Sequence, residues 1–147
     1  MKQVGYHYTE SGLQHVWLAN GYAVTKTPYG KGVSINDVAG LHRVIGGAIA
    51  KLPRLTGAKL RFLRKELGLS QKALADLIGT SEQNVSLWER RGRIPKGHDR
   101  LIRLLYLEQM DGNVKIREMI DRLNNQDQDS SETLTLQEHD GHWREAA

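Results

Sequence analysis

Cysteine is absent from the 147 residues. Its absence excludes a disulfide framework and every zinc site that needs thiolates, and it fits a reducing compartment. Apolar residues are also in short supply, with a hydrophobic content of 39% and a mean hydropathy of −0.54. A packed core is therefore expected in only about half of the chain. No stretch approaches the ~20 apolar residues that cross a bilayer. The start, Met1-Lys2-Gln3-Val4-Gly5-Tyr6, lacks the apolar run of a signal peptide. Together these absences predict a soluble, cytoplasmic protein with no membrane partner.

Catalytic chemistry is missing too. No Ser/His/Asp set and no carboxylate pair stands at a meaningful spacing, and Gly30-Lys31-Gly32 lacks the strand–loop–helix setting of a phosphate loop. His139 and His142 flank Asp140-Gly141 without the further ligands a metal needs. His42 lies beside an apolar stripe and is expected to be a half-buried structural residue. His7, His15 and His98 have no evident partners. No enzyme, no metal and no cofactor is expected.

What is present is a basic centre. The net charge of +4 is unevenly spread: residues 1–53 carry five Lys/Arg against two Asp/Glu, residues 54–106 twelve against five, and residues 107–147 four against ten. A basic block inside an apolar-periodic segment suits a polyanion-binding surface, and equally a solvated face.

The first 35 residues are β-rich. His15–Ala19 and Tyr22–Lys26 flank Asn20-Gly21, which predicts a hairpin, and Val33-Ser34-Ile35 adds a short strand. A connecting helix follows over 36–53, capped by Asn36, with Val38, Leu41, Ile45, Ala48, Ile49 and Leu52 on its apolar stripe and Pro53 closing it. Gly46-Gly47 weakens it by roughly 1 kcal/mol per glycine, which fits either a close approach or a loose connector.

From 54 to 125 the cap signals are dense. Thr56, Ser70 and Ser81 each stand at a helix start, and Gly68, Gly79 and Gly92 each at an end. Lys59, Arg61, Arg64 and Lys65 lie off the apolar face of the first of these helices. A fourth helix follows Pro95 and a fifth runs from Val114 to about Leu123. Residues 126–147 form an acidic linker and a possible second hairpin, in which Asp140-Gly141 turns the chain back toward Trp143. Trp17 and Trp143 are expected to anchor their hairpins, and Trp88 to be core.

Gln71 to Glu89 meets the steric requirements of two helices crossing steeply through a short turn. Ala75 is the small contact residue, Gly79 the turn, and Leu74, Ile78, Val85 and Trp88 the inward apolar set. The run Leu69-Ser70-Gln71-Lys72-Ala73-Leu74-Ala75-Asp76-Leu77-Ile78-Gly79-Thr80-Ser81, continuing into Val85-Ser86-Leu87-Trp88-Glu89, strongly resembles the XRE (Cro and lambda-repressor-like) helix-turn-helix family. The resemblance implies a mainly α fold with a five-helix DNA-binding domain, whose third helix, about Glu82 to Arg90, enters the major groove.

A second stretch, Tyr8-Thr9-Glu10-Ser11-Gly12-Leu13 followed by Val16–Tyr22, resembles a degenerate N-terminal part of the MqsA-type antitoxins. In that family a cysteine-ligated zinc organises the segment. Here Ser11 stands at a cysteine position, so the zinc site is absent.

The resemblance and the side-chain chemistry together nominate Glu82, Gln83, Asn84, Ser86 and Leu87 as base-facing. Gln83 and Asn84 can pair bidentately with adenine, while Glu82 either accepts from cytosine N4 or complements the helix dipole. Gln71, Ser81, Arg90, Arg91, Arg93 and Lys96 are nominated for the DNA backbone. The implied function is that of a sequence-specific regulator on double-stranded DNA, a homodimeric repressor of its own operon. The alternative is an antitoxin that binds a protein toxin through either terminal segment.

Overall fold

The computed structural model describes residues 5–113, 115–125 and 133–146. The expected helix start at Val114 and the acidic linker at 126–132 lie outside the described residues.

Two short antiparallel sheets begin the chain. Strand β1 (Tyr6–His7) pairs with β2 (Trp17–Leu18), and β3 (Tyr22–Thr27) pairs with β4 (Gly30–Ile35). The hairpin expected around Asn20-Gly21 is therefore displaced. Gly21 does take the left-handed conformation, with φ of 81°. The chain uses that reversal to leave one sheet for the other. In its final register β3 runs from Tyr22↔Ile35 to Thr27↔Gly30, turning through Pro28-Tyr29. That ladder is longer than the five residues before Asn20 could supply.

Six α-helices occur among the described residues: α1 (Val38–Ala50), α2 (Gly57–Glu66), α3 (Gln71–Ile78), α4 (Glu82–Arg91), α5 (Lys96–Met110) and α6 (Lys115–Asn124). The implied five-helix count is one short, because α1 packs on α2 and α5 beside the other five. Its N-cap is Asp37 rather than Asn36. Asp37 adopts φ of 47° and accepts a hydrogen bond from the Gly40 amide at 3.1 Å, a local bond that offsets the cost of the left-handed backbone. Gly46 is a contact residue. A Cβ there would overlap the phenol of Tyr106, so the missing side chain lets α5 lie against α1.

One apolar core joins both parts of the chain. Tyr8, Leu13 and Leu18 from the β-rich segment are buried with Ile49, Leu60, Leu63, Leu74, Val85 and Ile102 from the helices. His42 ties the segment on: its Nε2 meets Tyr8 Oη at 2.7 Å and its Nδ1 meets Glu66 Oε1 at 2.9 Å. It is half-buried, as expected. His7 and His98 do have partners. His7 stacks on Trp17 with ring centroids 4.3 Å apart, and His98 lies 5.1 Å from the Trp88 ring.

Beyond the helices, β5 (Leu136–His139) pairs with β6 (His142–Glu145) through Asp140-Gly141, both at positive φ. Trp143 is 70% exposed and does not anchor this hairpin by burial. No helix among the described residues is long and apolar enough to cross a membrane.

Candidate nucleic-acid interface

The interface is built from three capped helix starts. Thr56 Oγ1 accepts from the Lys59 amide at 3.3 Å, Ser70 Oγ from Ala73 at 3.0 Å, and Ser81 Oγ from Asn84 at 3.1 Å. Each bond satisfies an amide that the helix itself leaves without a partner, and each defines where its helix begins. Gly79 closes α3 at φ of 79°. The chain then needs only Gly79, Thr80 and Ser81 to start α4 at a new angle. Leu74, Ala75 and Val85 are fully buried between the two helices, with Trp88 close behind.

With Val85 and Trp88 turned inward, the opposite side of α4 faces solvent. Ser81, Glu82, Gln83 and Asn84 are exposed, and Ser86 and Leu87 are half-buried on its flanks. Gln71 is half-buried at the first position of α3. Arg90, Arg91, Arg93 and Lys96 are exposed at the far end of α4, on the following loop and at the start of α5. All eleven nominated side chains thus fall on α3, α4 and the α4–α5 connection, the exposed ones at either end of α4.

Local bonds position some of these groups. Asn84 Nδ2 donates to Thr80 Oγ1 at 3.0 Å, which leaves its carbonyl oxygen and its second amide hydrogen for a partner. Arg90 Nε folds back toward the Ser86 carbonyl at 3.4 Å. Thr80 went unnoticed in the sequence, although a threonine four residues before an asparagine across a helix start is a readable signal.

Arg64 is removed from the basic face. Its Nε and Nη2 donate to the two carboxylate oxygens of Glu89 at 2.8 and 3.1 Å, and Nη1 donates to the Leu69 carbonyl at 3.0 Å. This fork ties α4 to α2 and to the α2–α3 loop, and both charged groups are largely shielded from solvent. A guanidinium suits the task because its planar donors match both carboxylate oxygens at once. Gly57 brings the same helices together at another point. A Cβ there would overlap the Glu89 carbonyl, so the start of α2 rests directly on the backbone of α4.

In the β-rich segment, Ser11 Oγ donates to the Tyr8 carbonyl at 2.8 Å and accepts from the Leu13 amide at 3.2 Å. The turn is organised by that hydroxyl, and a zinc site does not fit a segment without thiolates. Among the described residues no group of three or more His, Cys, Asp or Glu side chains is placed to hold a metal.

Comparison with known proteins bears on the helical part. No curated protein and no solved structure matches the chain. Residues 60–99, from α2 to the first turn of α5, match a family model described as helix-turn-helix, and the match is of the XRE type.

Proposed function

We propose that the chain is a sequence-specific transcriptional regulator that reads double-stranded DNA through α4, acting as a homodimeric repressor of its own operon. The observation that carries the reading is the exposed start of α4. Glu82, Gln83 and Asn84 project from a capped helix end whose opposite face is locked into the core. Glutamine and asparagine offer the paired donor and acceptor that adenine presents in the major groove. Arg90, Arg91, Arg93 and Lys96 supply the cations that hold phosphates on either side. For the dimer, Leu104, Met119 and Leu123 leave apolar surface exposed on α5 and α6.

The test is a footprint on the DNA upstream of the gene, at two salt concentrations with non-specific competitor. A protected, roughly palindromic site that survives competition supports the reading. Protection that vanishes with salt reduces it to a basic surface.

A second reading, as an antitoxin, draws on the β5–β6 hairpin. Leu136 and Trp143 are exposed there on the same face as Glu138 and Glu145, a combination suited to a basic protein. Co-purification of a small basic protein with the full chain, and its loss on Trp143→Ala, tests that reading.

A further inference from the structure

The loop before α2 carries a cation that the helix-turn-helix signature does not contain. Arg54 lies between Pro53 and Leu55, and both neighbours are fastened to α5. Arg103 donates to the carbonyls of Leu52 and Pro53, and the Leu55 amide donates to Asp99 Oδ2 at 2.8 Å. Asp99 and Arg103 also pair with each other at 2.6 Å, so the clamp consumes its own charges. On the other side, Gly57 seats the start of α2 on the backbone of α4. The loop is thereby held between the end of the recognition helix and the start of α5.

Two adjoining clefts result, and Arg54 lines both. One, of about 310 Å³, also contains Lys96 and Arg100. The other, of about 820 Å³, also contains Arg90 and Arg91. The acids that reach these clefts, Asp99 and Glu89, are already paired with Arg103 and Arg64. Among the described residues none of Arg54, Arg91, Lys96 and Arg100 enters an ion pair. Among the described residues these five exposed cations meet no carboxylate, which suits the surface to a polyanion, and it is continuous with the C-terminal end of α4.

We propose that Arg54, with Arg100 beside it, is a phosphate contact for the DNA backbone flanking the bases read by α4, held in place by the Asp99–Arg103 clamp. The inference rests on the DNA-binding reading above. It extends the footprint beyond the helix-turn-helix itself to a loop that precedes it.

The test uses the full chain and a random-sequence duplex, because backbone contacts need no operator. Affinity is measured against salt concentration for the wild type, Arg54→Gln, Arg100→Gln and Arg91→Gln, with thermal melts to confirm folding. Each lost phosphate contact should lower the slope of log affinity against log salt by about 0.9. The proposal expects that drop for Arg54→Gln and for Arg100→Gln, together with weaker binding at every salt concentration. Unchanged slopes for those two, with a reduced slope for Arg91→Gln, would overturn it and leave the helix-turn-helix reading standing. Failure of the wild type to bind the duplex at any salt concentration would overturn both.

Discussion

Asn84 reaches back across the start of α4 and donates from Nδ2 to the Thr80 hydroxyl at 3.0 Å. Under the proposed reading, an amide suited to adenine is thus held before any DNA arrives, which lowers the entropy lost on binding. Thr80→Val removes the acceptor while keeping the shape. Its expected effect is weaker discrimination at one base pair, with little change in fold stability. Asn84→Ala or Gln83→Ala should cost about 1–3 kcal/mol at the base each reads. Affinities for an operator and for single-base variants of it check this. Unchanged discrimination in Gln83→Ala would remove that residue from base reading.

The Arg64–Glu89 fork leads to a stability prediction. Removing one partner leaves the other charge shielded from water and unpaired, which costs about 3–5 kcal/mol when such a pair is buried. Glu89→Ala should therefore lower the denaturant midpoint strongly. Replacing both residues by methionine should recover much of the loss, since apolar replacement of a whole buried pair is often neutral. Urea titrations of the two singles and the double variant close the cycle.

Gly46→Ala places a methyl group against the Tyr106 phenol, where no room exists. Overpacking of this kind costs about 1–3 kcal/mol. Combining it with Tyr106→Phe removes the hydroxyl but leaves the ring carbons that also overlap, so only a small part of the loss should return in thermal melts. A stabilising Gly46→Ala, through the usual gain in helix propensity, would contradict the close packing of α1 on α5.

The tyrosines set an alkaline limit. Burial pushes the Tyr8 phenol above its ordinary value of 10.0, helped by the Glu10 and Glu66 carboxylates. Burial does the same at Tyr106, with Glu66 adding to the rise and Arg43 opposing it. A raised folded value favours the neutral phenol. This contribution to stability is complete below the unfolded value near 10 and is lost as pH rises through the folded one. Melting temperature should fall more steeply above about pH 10 in the wild type than in Tyr106→Phe. Equal slopes would show that Tyr106 ionises as freely folded as unfolded.

The parts of this fold legible in the sequence are those governed by local bonds. Thr56, Ser70 and Ser81 cap helices wherever they stand before an apolar-periodic run, because the bond they make spans three residues. Gly79 and Gly92 end helices for an equally local reason, the positive φ they tolerate. Strand partners were not legible. Gly21 turns as its composition predicts, yet which strand β3 chooses depends on a ladder reaching to Ile35. Charge on a helix face does not by itself reveal a partner either. Arg64 and Arg61 are alike in sequence, and only the approach of Glu89 from α4, 25 residues away, separates a brace from an exposed cation. Arg54 escaped notice because its position is set by Arg103 and Asp99, far along the chain.

The glycine at 57 has a consequence for how the domain meets a groove. With the start of α2 resting on the Glu89 carbonyl and Arg64 gripping the Glu89 side chain, any tilt of α4 would have to break both contacts. If α4 reads DNA as proposed, adjustment to an imperfect duplex falls to the DNA. Bending and groove-width changes then enter the binding energy, so base steps that deform easily gain affinity even where no side chain reaches them.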